Sequence, residues 1–183
     1  MIVGQKVRLR AIERADLARF VVWLNDAEVR RGISQSFPVS QVLEERWFDS
    51  MLELAREEQP FAVDVRRGRR WIHAGSCSLF RFDRQARSAE LGIMLGEKTL
   101  WGRGYGTDTM RILMRHGFDT LNLNRIYLWV YESNLRAMRV YDRLGFREEG
   151  RLRQDHYVDG EYEDTVIMGL LREEWRPTAQ DGR

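Results

Sequence analysis

A seven-residue stretch with glycine at every second position, WGRGYGT at residues 101–107, constrains this chain more than any other part of it. Before it, Ala89, Leu91, Ile93 and Leu95 alternate with Glu90, Gly92 and Met94, the period-2 pattern of a strand. After it, Met110, Leu113, Met114, Gly117, Phe118 and Leu121 recur at helical spacing and predict a core-facing helix reaching residue 122. The stretch therefore joins a strand to a helix N-terminus. Gly102, Gly104 and Gly106 permit a sharp turn and leave the backbone N–H groups open to a ligand. With the helix dipole behind them such groups form an anion site, and Arg103 adds a positive charge. The plainer alternative is a tight strand-to-helix connection with no ligand.

At 183 residues the chain is long enough to close one hydrophobic core. The expected organisation is a single domain over residues 1–176 with a flexible tail at 177–183. The lone cysteine, Cys77, excludes an internal disulfide and a multi-cysteine metal site, and reads as small core filler in a reducing compartment. Charges interrupt every apolar run near the N-terminus, and no run is long enough to span a bilayer, so the expectation is a soluble cytoplasmic protein without a membrane partner. A net charge of +2 gives no argument for nucleic acid.

Taken in order, Val7, Leu9 and Ala11 predict a strand whose other face carries Arg8 and Arg10. A helix follows, with Leu17, Phe20, Val21 and Leu24 as its buried stripe and Asp16 as an early acidic residue. The polar connection at 25–39 is a candidate substrate-side wall or a plain surface loop. Ser40 caps a second helix with Leu43, Trp47, Met51 and Leu54 at helical spacing. Phe61, Val63 and Val65 begin a strand, the four arginines around Gly68 form a hairpin turn, and residues 71–82 return. With 88–95 these strands make an antiparallel meander. Residues 125–131, RIYLWVY, read as an interior strand covered on both faces and parallel to the strand before the glycine turn. Another helix carries Ala137, Val140, Tyr141 and Leu144 inward and ends at Gly145. Asp159-Gly160 then marks a closing hairpin. The fold class is a mixed α/β sheet with helices on both faces, in the order βααβββαβαββ.

Several chemistries are excluded. No Lys-Ser or Lys-Thr follows the glycines, as a nucleoside-triphosphate loop requires, and the turn does not follow the first strand, as a dinucleotide fold requires. His73, His116 and His156 fall in different elements without a ligand spacing, so no metal is expected. A backbone-held anion remains, and a pyrophosphate is its natural occupant. Asn134 and Tyr141 lie seven residues apart and so within about 20° on one helix face. Each also has a plain reading, Asn134 as an N-cap and Tyr141 as a core aromatic with a hydrogen-bonded hydroxyl. Glu90 is either a buried general base of raised pKa or the partner of an arginine on a neighbouring strand.

Together, the strand, WGRGYGT, the helix, the buried strand, Asn134, Tyr141 and Leu144-Gly145-Phe146 resemble the core of the GNAT N-acetyltransferase superfamily. The resemblance covers nearly the whole chain. Trp101 departs from the Gln or Arg that usually opens the turn, leaving the glycines intact. The stretch FDTLNLNRIYLWVYESNLRAMRVYDRLGFREEG and the Gly160, Tyr162, Asp164 spacing are similar to the branch of spermidine and ribosomal-protein N-terminal acetyltransferases. The resemblance implies acetyl-CoA as co-substrate. Its pantetheine would pair with Ile93, Met94 and Leu95 in a splayed gap between the central strands. Its pyrophosphate would sit on the turn of Trp101, Gly102, Arg103, Gly104, Tyr105, Gly106 and Thr107, and Asn134, Ala137 and Arg143 would complete the cofactor set. Tyr141 would protonate the departing thiolate, and Glu90, directly or through water, would deprotonate the amine for direct transfer in a ternary complex. The acceptor would be a protein N-terminal amine, a polyamine or an amino sugar. Arg30, Arg31, Gly32, Ile33, Ser34 and Gln35, where polyamine enzymes place acidic residues, argue against spermidine, although Asp26, Glu28, Glu44 and Glu45 remain available. Relatives of this type imply a homodimer. A catalytically silent acetyl-CoA-binding or protein-interaction module on the same fold is the alternative.

Overall fold

The computed structural model describes residues 1–33 and 35–176. Ser34, in the connection read as a substrate wall, and the tail at 177–183 lie outside the described residues. The chain runs β1 (Ile2–Val3), β2 (Val7–Ala11), α1 (Leu17–Leu24), α2 (Ala27–Arg30), α3 (Gln41–Leu52), β3 (Phe61–Arg67), β4 (Arg70–Asp83), β5 (Ser88–Leu95), α4 (Tyr105–Arg115), β6 (Arg125–Tyr131), α5 (Leu135–Arg143), β7 (Arg147–Val158) and β8 (Glu161–Leu171). Apart from the short β1 and α2, this is the expected order. The strands form one mixed sheet in the order β1-β2-β3-β4-β5-β6-β8-β7. The chain divides into two compact units, Met1–Phe80 with Gly92–Leu113, and Arg81–Leu91 with Met114–Arg183.

In the first unit, β2 pairs antiparallel with β3, and β3 with β4. Gly68, at φ +60°, closes the hairpin predicted at the arginines. The charged face of β2 has a buried partner: Arg8 and Arg10 donate to the Asp64 carboxylate at 2.9 and 3.1 Å, and Arg10 also grips Asp16. Such pairing is what makes a buried carboxylate tolerable, because removing one partner strands the other charge in a poor solvent.

Both early helices bury part of the stripe expected of them and add neighbours outside it. α1 buries Leu17 and Phe20 as expected, with Trp23 beside them, and leaves Val21 and Leu24 half-buried. α3 is capped by Ser40, whose hydroxyl accepts the Leu43 N–H, and buries the expected Met51, but with Glu44 and Phe48 in place of Leu43 and Trp47. Leu43 is 51% exposed and Trp47 39%. Stripes one residue apart both satisfy a 3.6-residue period, so packing decides between them. Here Phe20 meets Trp23 edge-on at 5.7 Å, and the two join Ile12, Leu17, Val29, Phe48, Met51 and Ala62 in one core cluster.

In the second unit, β6 runs parallel to β5 from Ser88↔Arg125 to Glu90↔Tyr127, as expected, and antiparallel to β8, which pairs with β7. β6 is not covered on both faces. Ile126, Leu128 and Val130 are buried, whereas Trp129 on the other face is 43% exposed. α4 ends at Arg115 and a π-helical turn follows over His116–Thr120, so the stretch to residue 122 is not one continuous α-helix. The wider turn keeps Gly117 and Phe118 buried and leaves Leu121 half-buried. Asp159 and Gly160, at φ +51° and +93°, make the predicted two-residue hairpin.

Candidate functional site

In the first unit the glycine turn is built as the sequence required. Gly102 and Gly104 adopt φ +76° and +82°, a region that strains any residue with a Cβ, while Gly106 is already helical. Gly104 occupies the cap position of α4: its carbonyl takes the Asp108 N–H at 3.1 Å. As a glycine it brings no side chain to cap the first turn. The N–H groups of Tyr105, Gly106 and Thr107 therefore precede the first intrahelical bond, at the positive end of the helix dipole. Arg103 stands in the turn, and the Lys6 ammonium donates to its carbonyl at 3.2 Å, adding a second cation. A backbone cradle with two cations suits a pyrophosphate.

Trp101 finds its purpose here. Its indole N–H donates to the Leu95 carbonyl at 2.7 Å, closing the loop between β5 and α4, and its ring packs on the core cluster. The Leu95 carbonyl predicted to meet a ligand thus already has one donor. Upstream, a Cβ on Gly75 would overlap the Met94 carbonyl. The Ala74 carbonyl accepts from both Gly96 and Glu97, at 2.9 and 3.2 Å, and this doubling ends β5 immediately after Ile93, Met94 and Leu95.

Two residues of this region escaped the sequence reading. The buried Asp108 carboxylate accepts the backbone N–H groups of Lys6 and Val7 at 2.7 and 3.0 Å, tying the start of β2 to the first turn of α4. An acidic residue one turn into a helix that begins behind glycines was the available signal. Lys6 had none, because the 97 positions separating it from Arg103 carry no local pattern.

The second unit holds the remaining candidates. Asn134 caps α5, its Oδ1 accepting the Ala137 N–H at 3.2 Å, so the plain reading of Asn134 is realised and Ala137 is the residue it holds. Tyr141, nearly two turns on, is buried beside Phe146 with ring centroids 6.0 Å apart. Burial pushes its hydroxyl up to about 12, with no hydrogen bond contributing. The phenol therefore stays protonated at neutral pH. Arg143 is exposed, its Nε donating to the Arg139 carbonyl at 2.9 Å. Glu90 is buried on β5 opposite Tyr127, and Arg81 donates to its Oε2 at 2.8 Å, so the arginine pair forms.

Other groups fall outside this chemistry. Cys77 is buried, and burial drives its thiol far above the ordinary range, so it stays uncharged. Asp26 and Glu28 are both occupied by Lys98, at 2.8 and 3.0 Å, and burial raises the pKa of Glu44. Among the described residues no cluster of His, Cys, Asp or Glu is placed to hold a metal ion, and no helix is long and apolar enough to cross a membrane.

Comparison with known proteins follows the same lines. The family model for the Acetyltransferase (GNAT) domain matches residues 6–147. The spermidine N(1)-acetyltransferase of Vibrio cholerae is 30% identical over 181 residues, spanning 94% of this chain and 97% of that protein. A putative ribosomal N-acetyltransferase of Bacillus subtilis is 37% identical over 101 residues, 55% of each chain. The crystal structure of spermidine N-acetyltransferase from Vibrio cholerae in complex with CoA and spermine superposes with a TM-score of 0.83 at 26% identity, covering 92% of this chain and 97% of that one.

Proposed function

The chain belongs to the GNAT acetyltransferase family and is an N-acetyltransferase, and on that premise we propose that it moves an acetyl group from acetyl-CoA directly to a primary amine in a ternary complex. The observation that carries this reading is the entrance to α4, where two left-handed glycines, an uncapped first turn and two cations together favour a diphosphate. When bound, acetyl-CoA supplies an activated thioester. The amides of residues 104–107, with Arg103 and Lys6, hold the charged end, with Trp101 and Gly102 shaping the turn, and the backbone of Ile93, Met94 and Leu95 pairs with the pantetheine. Asn134, fixed by the bond of its oxygen to the Ala137 N–H, holds the pantetheine arm, with Arg143 near the far end of α5.

Tyr141 donates its proton to the departing sulfur. Its raised pKa keeps that proton in place until a thiolate forms. Glu90, directly or through a water chain, receives the proton of the acceptor ammonium, and Arg81 keeps its carboxylate in position. The freed lone pair then attacks the acetyl carbonyl, and the C–S bond breaks. Cys77 takes no part. The acceptor is a polyamine, a protein N-terminal amine or an amino sugar. The ion pairs of Asp26 and Glu28 with Lys98 weigh against a polycation bound around the first helices.

The reading also takes residues 1–176 as one acetyltransferase domain working in the cytoplasm as a homodimer, which the long edge strand β7 supports. The test is steady-state acetyl-CoA consumption with spermidine, a peptide with a free N-terminus and an amino sugar as acceptors. Turnover on one of them is expected. Tight acetyl-CoA binding with no turnover on any would replace the enzyme reading by that of a silent binding module.

A further inference from the structure

The second unit contains a polar cluster that the chemistry above does not use. Glu163 on β8 is 9% exposed. Its Oε2 accepts the Ser133 N–H at 3.0 Å, but its buried Oε1 has no hydrogen-bond partner among the described residues. Thr165, two residues along the same strand and therefore on the same face, buries its Oγ1 equally unpartnered. Native proteins leave few such groups, because each costs the desolvation of a polar atom with no return. Two adjacent ones on one strand face call for a donor.

The neighbouring carboxylates do not share this vacancy. Arg151 donates to Glu132 at 2.8 Å and lies 3.5 Å from Asp164, and the Asp164 N–H donates to Glu132 at 3.0 Å. Beside Oε1 of Glu163 stands His156, whose Nε2 is 3.9 Å away, too far for a hydrogen bond. The register places His156 opposite Glu163 and Tyr131 opposite Thr165, and the two rings stack with centroids 3.7 Å apart. Trp129 continues the same face of β6, partly exposed. The cluster is thus an acceptor oxygen and a hydroxyl beneath an aromatic wall. β7 slips register between Leu152 and His156, with Gln154 at φ +53°, so the backbone that carries this wall is irregular just there.

Resting on the acetyltransferase reading, we propose that Glu163 and Thr165 receive an ammonium group of the acceptor, whose apolar stem lies along Tyr131, His156 and Trp129. A protonated primary amine supplies what the cluster lacks: a charge-assisted donor for Oε1, a second donor for Oγ1 and a cation for the aromatic faces. The location is apt, because Glu163 holds the residue next to Asn134, at the start of the helix that carries Tyr141. Glu163 is therefore a specificity-determining residue.

Spermidine and acetyl-CoA are titrated separately, by calorimetry, into the wild type and into Glu163→Gln and Thr165→Val. Gln retains a carbonyl for the Ser133 N–H, so the backbone at Asn134 is preserved. Spermidine affinity is expected to fall at least about tenfold in Glu163→Gln, equivalent to about 1.4 kcal/mol, and severalfold in Thr165→Val, with acetyl-CoA affinity unchanged in both. Absent spermidine binding to the wild type, or equal affinity in the variants, overturns the proposal. Acetyl-CoA affinity falling in step with spermidine also overturns it, because Glu163 would then only position Ser133 and Asn134. Failure of the wild type to bind acetyl-CoA would instead strike the acetyltransferase mechanism, and the spermidine comparison would still read out the ammonium site.

Discussion

Helices α4 and α5 both carry residues of the proposed site, yet they begin in opposite ways. α5 is closed at its start: Asn134 caps the Ala137 N–H, and Glu163 takes the N–H of Ser133 just before it. α4 is open. Gly104 stands where a capping side chain would be, and the carboxylate of its first turn, Asp108, reaches back to Lys6 and Val7 at the entry to β2 instead of its own helix. The same backbone chemistry serves two purposes. A helix end satisfied by its own side chain holds side chains in place, as α5 holds Tyr141, whereas an end without one offers its amides to an anion.

If that contrast is right, changes at the two entrances differ in kind as well as size. The largest effect is expected at the open end. Gly104→Trp puts a bulky side chain at φ +82° beside Lys6 and should weaken acetyl-CoA by more than about 100-fold, or about 2.7 kcal/mol, while circular dichroism stays native. Retained affinity would break the comparison by showing that the entrance is only a turn. Next is Tyr141→Phe, which should lower kcat by about 10²-fold with acetyl-CoA affinity intact. An unchanged kcat, with chemistry shown to limit turnover, removes Tyr141 as the acid.

Smaller effects separate scaffold from site. Asp108→Ala leaves the N–H groups of Lys6 and Val7 without their acceptor and should cost about 2 kcal/mol in urea unfolding, with some loss of acetyl-CoA affinity because Lys6 is released from the turn. Asn134→Ala should cost about 1 kcal/mol as a lost cap; a stability loss near zero would mean that α5 does not depend on that cap. A last effect, confined to alkaline conditions, lies in the pH dependence of stability. The Tyr141 hydroxyl titrates near 12 in the folded chain, above the ordinary tyrosine value of about 10. The unfolded chain therefore loses this proton first. The stabilisation is fully present below about pH 10 and disappears as the pH rises towards 12. Denaturation midpoints should fall less steeply over that window in Tyr141→Phe than in the wild type.

Much of this was legible because it is local. The turn after β5, the Ser40 cap, the Asp159-Gly160 hairpin and the order of elements all follow from φ preferences and side-chain periods within a few residues. Asn134 and Tyr141 were likewise placed on one helix by spacing alone. The missed features are those in which a period admits two phases or a partner lies far along the chain. α3 could bury Leu43 and Trp47 or Glu44 and Phe48 with equal regularity, and tertiary packing put Phe48 into the core cluster while Trp47 meets Phe20 from the rim. Trp129 looked like an interior residue because an apolar run does not say which face will be covered.

The sequence by itself determined that a strand turns on glycines into a helix whose first amides lack a side-chain cap, because glycine takes up the left-handed backbone without strain and has nothing with which to cap. Tertiary structure decided what surrounds that turn. Lys6 comes to Arg103, Asp108 to β2, Arg81 to Glu90, and Glu163 to Ser133, all through chain crossings that no local pattern records. Charges and hydrogen-bonding groups act across angstroms of space and not along residues of sequence, so which carboxylate ends up satisfied and which is left open is settled only when the strands pair.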